Sequence, residues 1–301
     1  MSLELGAQIP AWHWGYGVEE LRDWCQAAEA IGYDFVYVAD HVTYAYPLPD
    51  RPAPRYAGAI PHHEAFTLLS AVAAWTSRVR LQTSVLVLPQ RDPVLVAKQA
   101  AEVDVLSGGR LRLGVGIGWA EAEFAALGVR FADRASRFEE AIALLRACWR
   151  EEPVSFDGAH YRLQAMSLLP KPVTPGGPPI IVGAAAPRAL RRAARLGDGW
   201  AATPNMPPED APAAVAEMRE LVRAAGRDPE SFSMTMSTPL ASDAEAVTGK
   251  LVAYREAGFD RLGLHIPSFD AADAIPMDGY IRRMEVVHRD VWPEVLGAVV
   301  D

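Results

Sequence analysis

Eight times along this chain an apolar, strand-like run gives way to a stretch whose apolar residues recur at helical spacing. Strands are expected at 3–9, 34–39, 79–86, 111–117, 179–184, 199–203, 232–237 and 261–266. Helices are expected at 18–31, 64–76, 93–106, 134–150, 187–196, 208–225, 244–257 and from about 272 to 289. In the first helix Val18, Leu21, Cys25, Ala28 and Ile31 fall on one face, the mark of a helix packed on one side. Regular strand–helix alternation implies a parallel sheet, and eight units imply closure into an α/β (β/α)8 TIM barrel. An open doubly wound sheet is the alternative. A chain of 301 residues, half of them hydrophobic, suits one such barrel, so residues 1–301 are expected to form a single domain.

Two insertions interrupt the alternation. Residues 42–63 follow the second strand and carry five prolines with Tyr44, Tyr46 and Tyr56. Loops of that length in a compact domain are often lids or binding loops. A small hairpin is expected at 154–163, turning at Asp157-Gly158, before the fifth strand. Pro93 suits the start of its helix.

Composition removes several functional classes. The formal charge is −9 and no Lys/Arg cluster occurs, which argues against nucleic acid. No window approaches 18 uninterrupted apolar residues, so no membrane helix is expected. The opening Met-Ser-Leu-Glu-Leu-Gly has neither a basic region nor a long apolar core, so nothing reads as a signal peptide. Cys25 and Cys148 lie far apart on expected helices and fit a reducing compartment. A cytoplasmic protein is the expectation.

The chemistry-bearing residues gather at strand ends. Residues 104–119 run from a helix stop at Gly108-Gly109 through a short strand into Gly114, Gly116, Gly118 and Trp119. Glycine lets another group approach the main chain closely, which suggests a flat ligand against bare backbone. Asp40 and His41 stand where the second strand enters its loop, and barrels of this kind build active sites at the C-terminal strand ends. A histidine beside a carboxylate there can serve as acid or base. Thr83, Ser84 and Val85 interrupt an apolar strand; the hydroxyls either cap backbone groups or face a polar ligand edge. Gly183, Ala184, Ala185 and Ala186 precede Pro187 at a helix start, where free N–H groups can hold an anion. The aromatic residues Tyr44, Tyr46 and Trp119 are candidates for a substrate pocket.

Other motifs fail. The spacing of Gly114, Gly116 and Gly118 is not G-x-G-x-x-G, so a Rossmann dinucleotide site is not expected. There is no P-loop and no G-x-S-x-G elbow. His62-His63-Glu64 lacks i, i+4 metal spacing, and Glu64 reads as a helix N-terminal charge. No metal is assigned.

Taken together, the runs 32–41, 76–85 and 104–119, the 134–140 segment, Gly183 and Asp198-Gly199-Trp200 resemble the bacterial luciferase-like superfamily over about residues 3–290. Within it, the chain is most similar to the branch that uses the deazaflavin coenzyme F420. The resemblance implies a flavin- or deazaflavin-binding barrel with the cofactor at the C-terminal mouth. It places Asp40 and His41 near the reactive ring, with His41 the better catalytic candidate. It places Ser84-Val85 where many relatives have a non-prolyl cis peptide, Gly116, Gly118 and Trp119 beside the ring, and Gly183–Ala186 at a phosphate cradle.

The resemblance further implies hydride transfer with F420. The alternative is FMN, with reduced FMN reacting with oxygen in a monooxygenase served by a separate reductase. A non-catalytic cofactor-binding protein is a third reading. F420-dependent sugar-phosphate dehydrogenases of the superfamily carry a glutamate where this chain has Trp119. An apolar or aromatic carbonyl or enone therefore suits the site better than a sugar phosphate. A homodimer is implied by resemblance alone.

Overall fold

Eight parallel strands close on themselves in the computed structural model, which describes residues 2–11, 16–49, 61–204, 206–267 and 275–297. In chain order the strands are β1 (Glu4–Gln8), β2 (Phe35–Val38), β3 (Arg80–Thr83), β4 (Leu86–Val87), β5 (Leu111–Gly116), β6 (Val154–Asp157), β7 (Arg162–Met166), β8 (Ile180–Gly183), β9 (Gly199–Ala201), β10 (Ser233–Pro239) and β11 (Arg261–His265). The ring runs β1, β2, β3, β5, β8, β9, β10, β11 and back to β1, all in parallel register. β4 continues the third barrel strand beyond a break at Ser84-Val85 and pairs with β5. The expected (β/α)8 barrel is the fold.

The helices are α1 (Val18–Ile31), α2 (Ala65–Trp75), α3 (Pro93–Ser107), α4 (Glu121–Ala126), α5 (Arg134–Arg150), α6 (Pro187–Leu196), α7 (Ala211–Ala224), α8 (Ala244–Ala257), α9 (Met277–Val286) and α10 (Trp292–Val295). Their ends follow local chemistry. Asp92 accepts from the Val94 and Leu95 amides at the start of α3, ahead of Pro93. Asp243 does the same for Ala246 in α8, and Glu64 for Thr67 in α2. Alternate strand residues such as Leu5, Val36, Leu81 and Leu113 share one core with Trp24, Leu69, Ala97 and Leu144 of the helices, all fully buried. Burial of each such side chain is worth about 1.5–3 kcal/mol. Among the described residues no helix is long and apolar enough to cross a membrane.

An ion cluster occupies the N-terminal end of the barrel interior. Arg112 grips Glu4 through both terminal nitrogens, and Arg261 Nε stands 3.3 Å from Glu4 Oε2. Burial alone would raise the Glu4 carboxyl, but these arginines hold it below the usual range. The interior above them is left for other uses.

Several expectations shift. The third strand is split rather than continuous. The hairpin turns over residues 158–161, where Glu140 of α5 accepts from the Ala159, His160 and Tyr161 amides, and its second strand reaches Met166. α4 was not legible as a helix. α7 is preceded by a 3-10 turn at Pro208–Asp210. The last helix begins at Met277 and passes through a π-helical turn at Val287–Val291, while residues 272–274 lie outside the described residues. So do residues 50–60 of the long loop, Tyr56 among them.

Candidate active site

A cavity of roughly 330 Å³ opens at the C-terminal end of the barrel, within the range of about 300–1,000 Å³ usual for ligand pockets. Its lower part is bounded by Phe35, Tyr37, Gln82, Thr235 and Ser237 from inside the barrel. Ser84 and Val85 line it, as do the small residues Gly183–Ala185 and Ala201–Ala202. Trp119 lines it as well and is 47% exposed. The structure thus brings Ser84, Val85, Trp119, Gly183, Ala184 and Ala185 together from three segments of the chain.

The Ser84-Val85 peptide is cis. Val85 leaves the line of the strand, and the glycines of β5 and β8 make room for it. A Cβ on Gly116 would lie 2.7 Å from Val85 Cγ2, and one on Gly183 would lie 3.2 Å from both Val85 methyls. A Cβ on Gly114 would lie 1.8 Å from the Thr83 carbonyl oxygen. From sequence, the glycine run at 114–118 suggests a bare surface for a flat ligand. In the structure Gly114 and Gly116 are covered by Thr83 and Val85, and it is Val85 that meets the cavity. Gly118, at φ +75°, is packed by Val87 and Phe124. Thr83 is fully buried, and its hydroxyl donates to the Gly114 carbonyl at 2.6 Å. Of the two readings for these hydroxyls, Thr83 takes the backbone cap and Ser84 the cavity.

Beside Trp119 sits a cluster built around His41. Its ring lies 5.7 Å from Trp119 edge-on, 4.9 Å from Tyr44 and 6.1 Å from His62. His41 Nδ1 is 3.2 Å from Glu123 Oε2, while Glu123 Oε1 accepts from the Val42 and Thr43 amides at 2.6 and 3.2 Å. Glu123 is 3% exposed. Burial raises its pKa, but His41 and the Val42 amide outweigh that and hold it at about 2. A carboxylate that acidic only accepts, so the His41 nitrogen facing it carries the proton. His62 Nε2 donates to the Ala39 carbonyl, and burial keeps this imidazole's pKa below the usual value. Tyr46 is largely exposed, and neither it nor Tyr44 lines the cavity.

Asp40 is placed differently from its expected role beside the ring. Its carboxylate takes a bidentate pair from Arg91, 2.7 Å on each oxygen, and the Val87 amide at 2.8 Å. It is buried and does not line the cavity. Its position suits it to fix the chain where β2 and β4 deliver His41 and Val85. Ala185 and Ala186 are exposed at the start of α6, whose first turn has no side-chain cap. Those amides remain available to an anion, and Ala186 stands just outside the cavity lining.

Sequence reasoning missed Glu123 and Arg91. It also passed over Tyr37, Gln82 and Thr235, although polar residues at alternate positions of barrel strands are a signal of a polar interior.

Comparison with known proteins gives the fold a family. The family model described as luciferase-like monooxygenase matches residues 5–290. An uncharacterized protein of Mycobacterium tuberculosis is 32% identical over 278 residues, 90% of this chain and 93% of that one. An F420-dependent glucose-6-phosphate dehydrogenase of Intrasporangium calvum is 36% identical over 194 residues, 62% of this chain and 54% of the enzyme. Among solved structures, an F420-dependent secondary alcohol dehydrogenase in complex with an F420-acetone adduct superposes with a TM-score of 0.78 at 20% identity, covering all of both chains.

Proposed function

We propose that this chain, which belongs to the luciferase-like monooxygenase family, uses coenzyme F420 for hydride transfer to or from a small apolar or aromatic substrate. The observation that carries the reading is the wall built by Ser84-Val85 against small residues. A cavity edged by Val85, Gly183, Ala184, Ala185, Ala201 and Ala202 has the room and the shape for a flat tricyclic ring. The resemblance to an F420-dependent dehydrogenase in sequence supports the deazaflavin over FMN. That enzyme's sugar phosphate does not come with it, because Trp119 gives the mouth an apolar wall.

When bound, a deazaflavin supplies a carbon centre that accepts or gives up a hydride. The chain's own residues do the rest. The Ala185–Ala186 amides and the α6 N-terminus hold the cofactor's phosphate. Val85 and the alanines keep water from the ring, and Trp119 positions the substrate. His41, held by Glu123 through Nδ1, exchanges the proton that must accompany hydride transfer between a carbonyl and an alcohol. Asp40 anchors the strand end from which His41 projects. The chain acts as a single barrel domain. Exposed Leu95 and Leu106 on α3, with Leu169 tied alongside by Lys98, support a homodimer.

The test is anaerobic titration of the purified protein with F420, FMN and reduced FMN, followed by quenching of tryptophan fluorescence, with Trp119→Phe as control. Tight F420 binding and weak FMN binding are expected. Selective binding of reduced FMN would replace this reading with an oxygenase fed by a separate reductase, the activity in the family's own description. Binding without turnover of any carbonyl, alcohol or enone would leave a cofactor-binding protein.

A further inference from the structure

At the opposite end of the barrel from the candidate active site lies a second cavity, of roughly 250 Å³, where β1, β10 and β11 begin and α7 and α8 end. Leu3, Phe232, Met234 and Phe259 form its apolar side, and Arg219 and Arg255 its cationic side. Arg219, on α7, is half-buried. Its Nε is buried and has no hydrogen-bond partner, and no ion pair among the described residues reaches its guanidinium. The group rests against Gly258, which ends α8 at φ +105°; a Cβ there would stand 3.1 Å from Arg219 Nη2. The α8 C-terminus offsets part of the charge, yet its Tyr254 and Arg255 carbonyls already take the amides of Gly258 and Phe259. Arginine stays charged and carries five donors. A buried guanidinium nitrogen without an acceptor therefore calls for one.

Two carboxyl groups share the cavity, and neither answers Arg219. Asp260 Oδ1 accepts from the Met234 amide, and the charge that faces it is Arg261. Burial raises the Asp260 pKa above the usual carboxylate value. Glu230 stands exposed at the rim, on the 3-10 turn Pro229–Ser231. Arg255 keeps Nη1 on the Val295 carbonyl and Nη2 3.2 Å from Glu256 Oε1, which fixes its head at the cavity wall. We propose that this cavity binds a small organic anion, a carboxylate or phosphate gripped by Arg219 with its apolar body against Phe232 and Phe259. The planar guanidinium fork matches two oxygens of either group, and Arg255 adds charge beside it. A neutral ligand would leave Arg219 Nε bare. The occupant is not the substrate of the candidate active site, which opens at the other end of the barrel. The site stands whether that other cavity holds F420 or FMN.

The test follows the Met234 methyl by NMR in the full chain carrying methyl-labelled methionine. Met234 lines this cavity and is 2% exposed, so its signal reports occupancy here and not at the barrel mouth; Met234→Leu assigns it. Inorganic phosphate, benzoate and the neutral benzyl alcohol are titrated in turn. The signal is expected to move saturably with benzoate or phosphate and to stay still with benzyl alcohol, and the anion that acts at the lower concentration identifies the preferred group. Arg219→Gln, with retention of fold checked by circular dichroism, should raise the midpoint about 10- to 100-fold, the loss of a charge-assisted hydrogen bond. Glu230→Gln should lower it by removing a repelling charge. A Met234 signal that neither anion moves, an equal response to benzyl alcohol, or an unchanged midpoint in folded Arg219→Gln would each overturn the site. A Glu230→Gln variant that loses stability to urea and gains no anion affinity would make Glu230 the partner of Arg219, and the site would fall.

Discussion

Glu123 Oε2 lies 3.2 Å from His41 Nδ1, although the two residues are 82 apart in sequence. The same carboxylate takes the amides of Val42 and Thr43, so it fixes both the imidazole and the start of the loop that carries it. Replacing it by glutamine keeps the shape and removes the charge. Glu123→Gln is expected to lower kcat roughly 10- to 100-fold, the cost usual for losing a partner that orients a functional histidine. F420 affinity should hold within about twofold, and Glu123→Asp should recover part of the rate. Equal losses in affinity and rate would reduce Glu123 to a scaffold residue.

His41→Asn separates chemistry from binding. Turnover should fall by at least about 100-fold, in line with the loss of a general acid or base, while fluorescence titration shows cofactor affinity intact. Unchanged turnover would remove His41 from the mechanism.

Asp40 is expected to act through the fold. Its bidentate pair with Arg91 is buried, and leaving one member of such a pair unpartnered costs roughly 3–5 kcal/mol. Asp40→Asn and Arg91→Met should each lower the urea midpoint strongly. The double variant should lose much less than the sum of the two. Full additivity would show that the pair is not coupled.

The glycines of β5 predict contrasting outcomes. Gly114→Ala drives a Cβ into the Thr83 carbonyl, a backbone clash expected to cost more than about 4 kcal/mol and to prevent soluble expression. Gly116→Ala meets only the Val85 side chain, which can turn. That variant should fold and bind F420 about tenfold more weakly. Wild-type affinity in folded Gly116→Ala would detach Val85 from the ring.

Two buried groups set separate acid windows. Burial, with Lys250 adding to it, brings the His265 pKa down to about 4 from 6.5. Its folded value is depressed, so the stability it secures is complete above pH 6.5 and is lost as pH falls towards 4. Glu123, depressed from 4.5 to about 2, keeps its contribution above pH 4.5 and loses it as pH falls through about 2. Urea midpoints measured from pH 8 to pH 3 should show the first decline flattened in His265→Gln and the second in Glu123→Gln. A His265→Gln profile parallel to wild type between pH 6.5 and 4 would refute the first assignment.

What the sequence made legible was whatever repeats locally. Alternation of period-two and helical patterns was enough for eight barrel units, and the helix starts at Glu64 and Pro93 are written in the residues of the first turn itself. The glycine run at 114–118 was legible as a place of close approach, but not what approaches. Thr83 and Val85 lie about thirty residues upstream, and only closure of β3 against β5 brings them over it. Glu123 was invisible for the same reason. On α4 it reads as one more surface acid, and only the return of that helix beneath His41 buries it. Asp40 looked catalytic because its partner, Arg91, is 51 residues away.

The polar floor formed by Tyr37, Gln82 and Thr235 lies inside the barrel, among the strands that define the fold. A molecule seated there takes a place that side chains fill in other proteins, and it shields the same strands from solvent. Its dissociation constant and the resistance of the barrel to heat are then linked quantities, since a ligand bound only by the folded chain stabilises it in proportion to the logarithm of its occupancy. Cells short of the ligand would hold a shorter-lived protein.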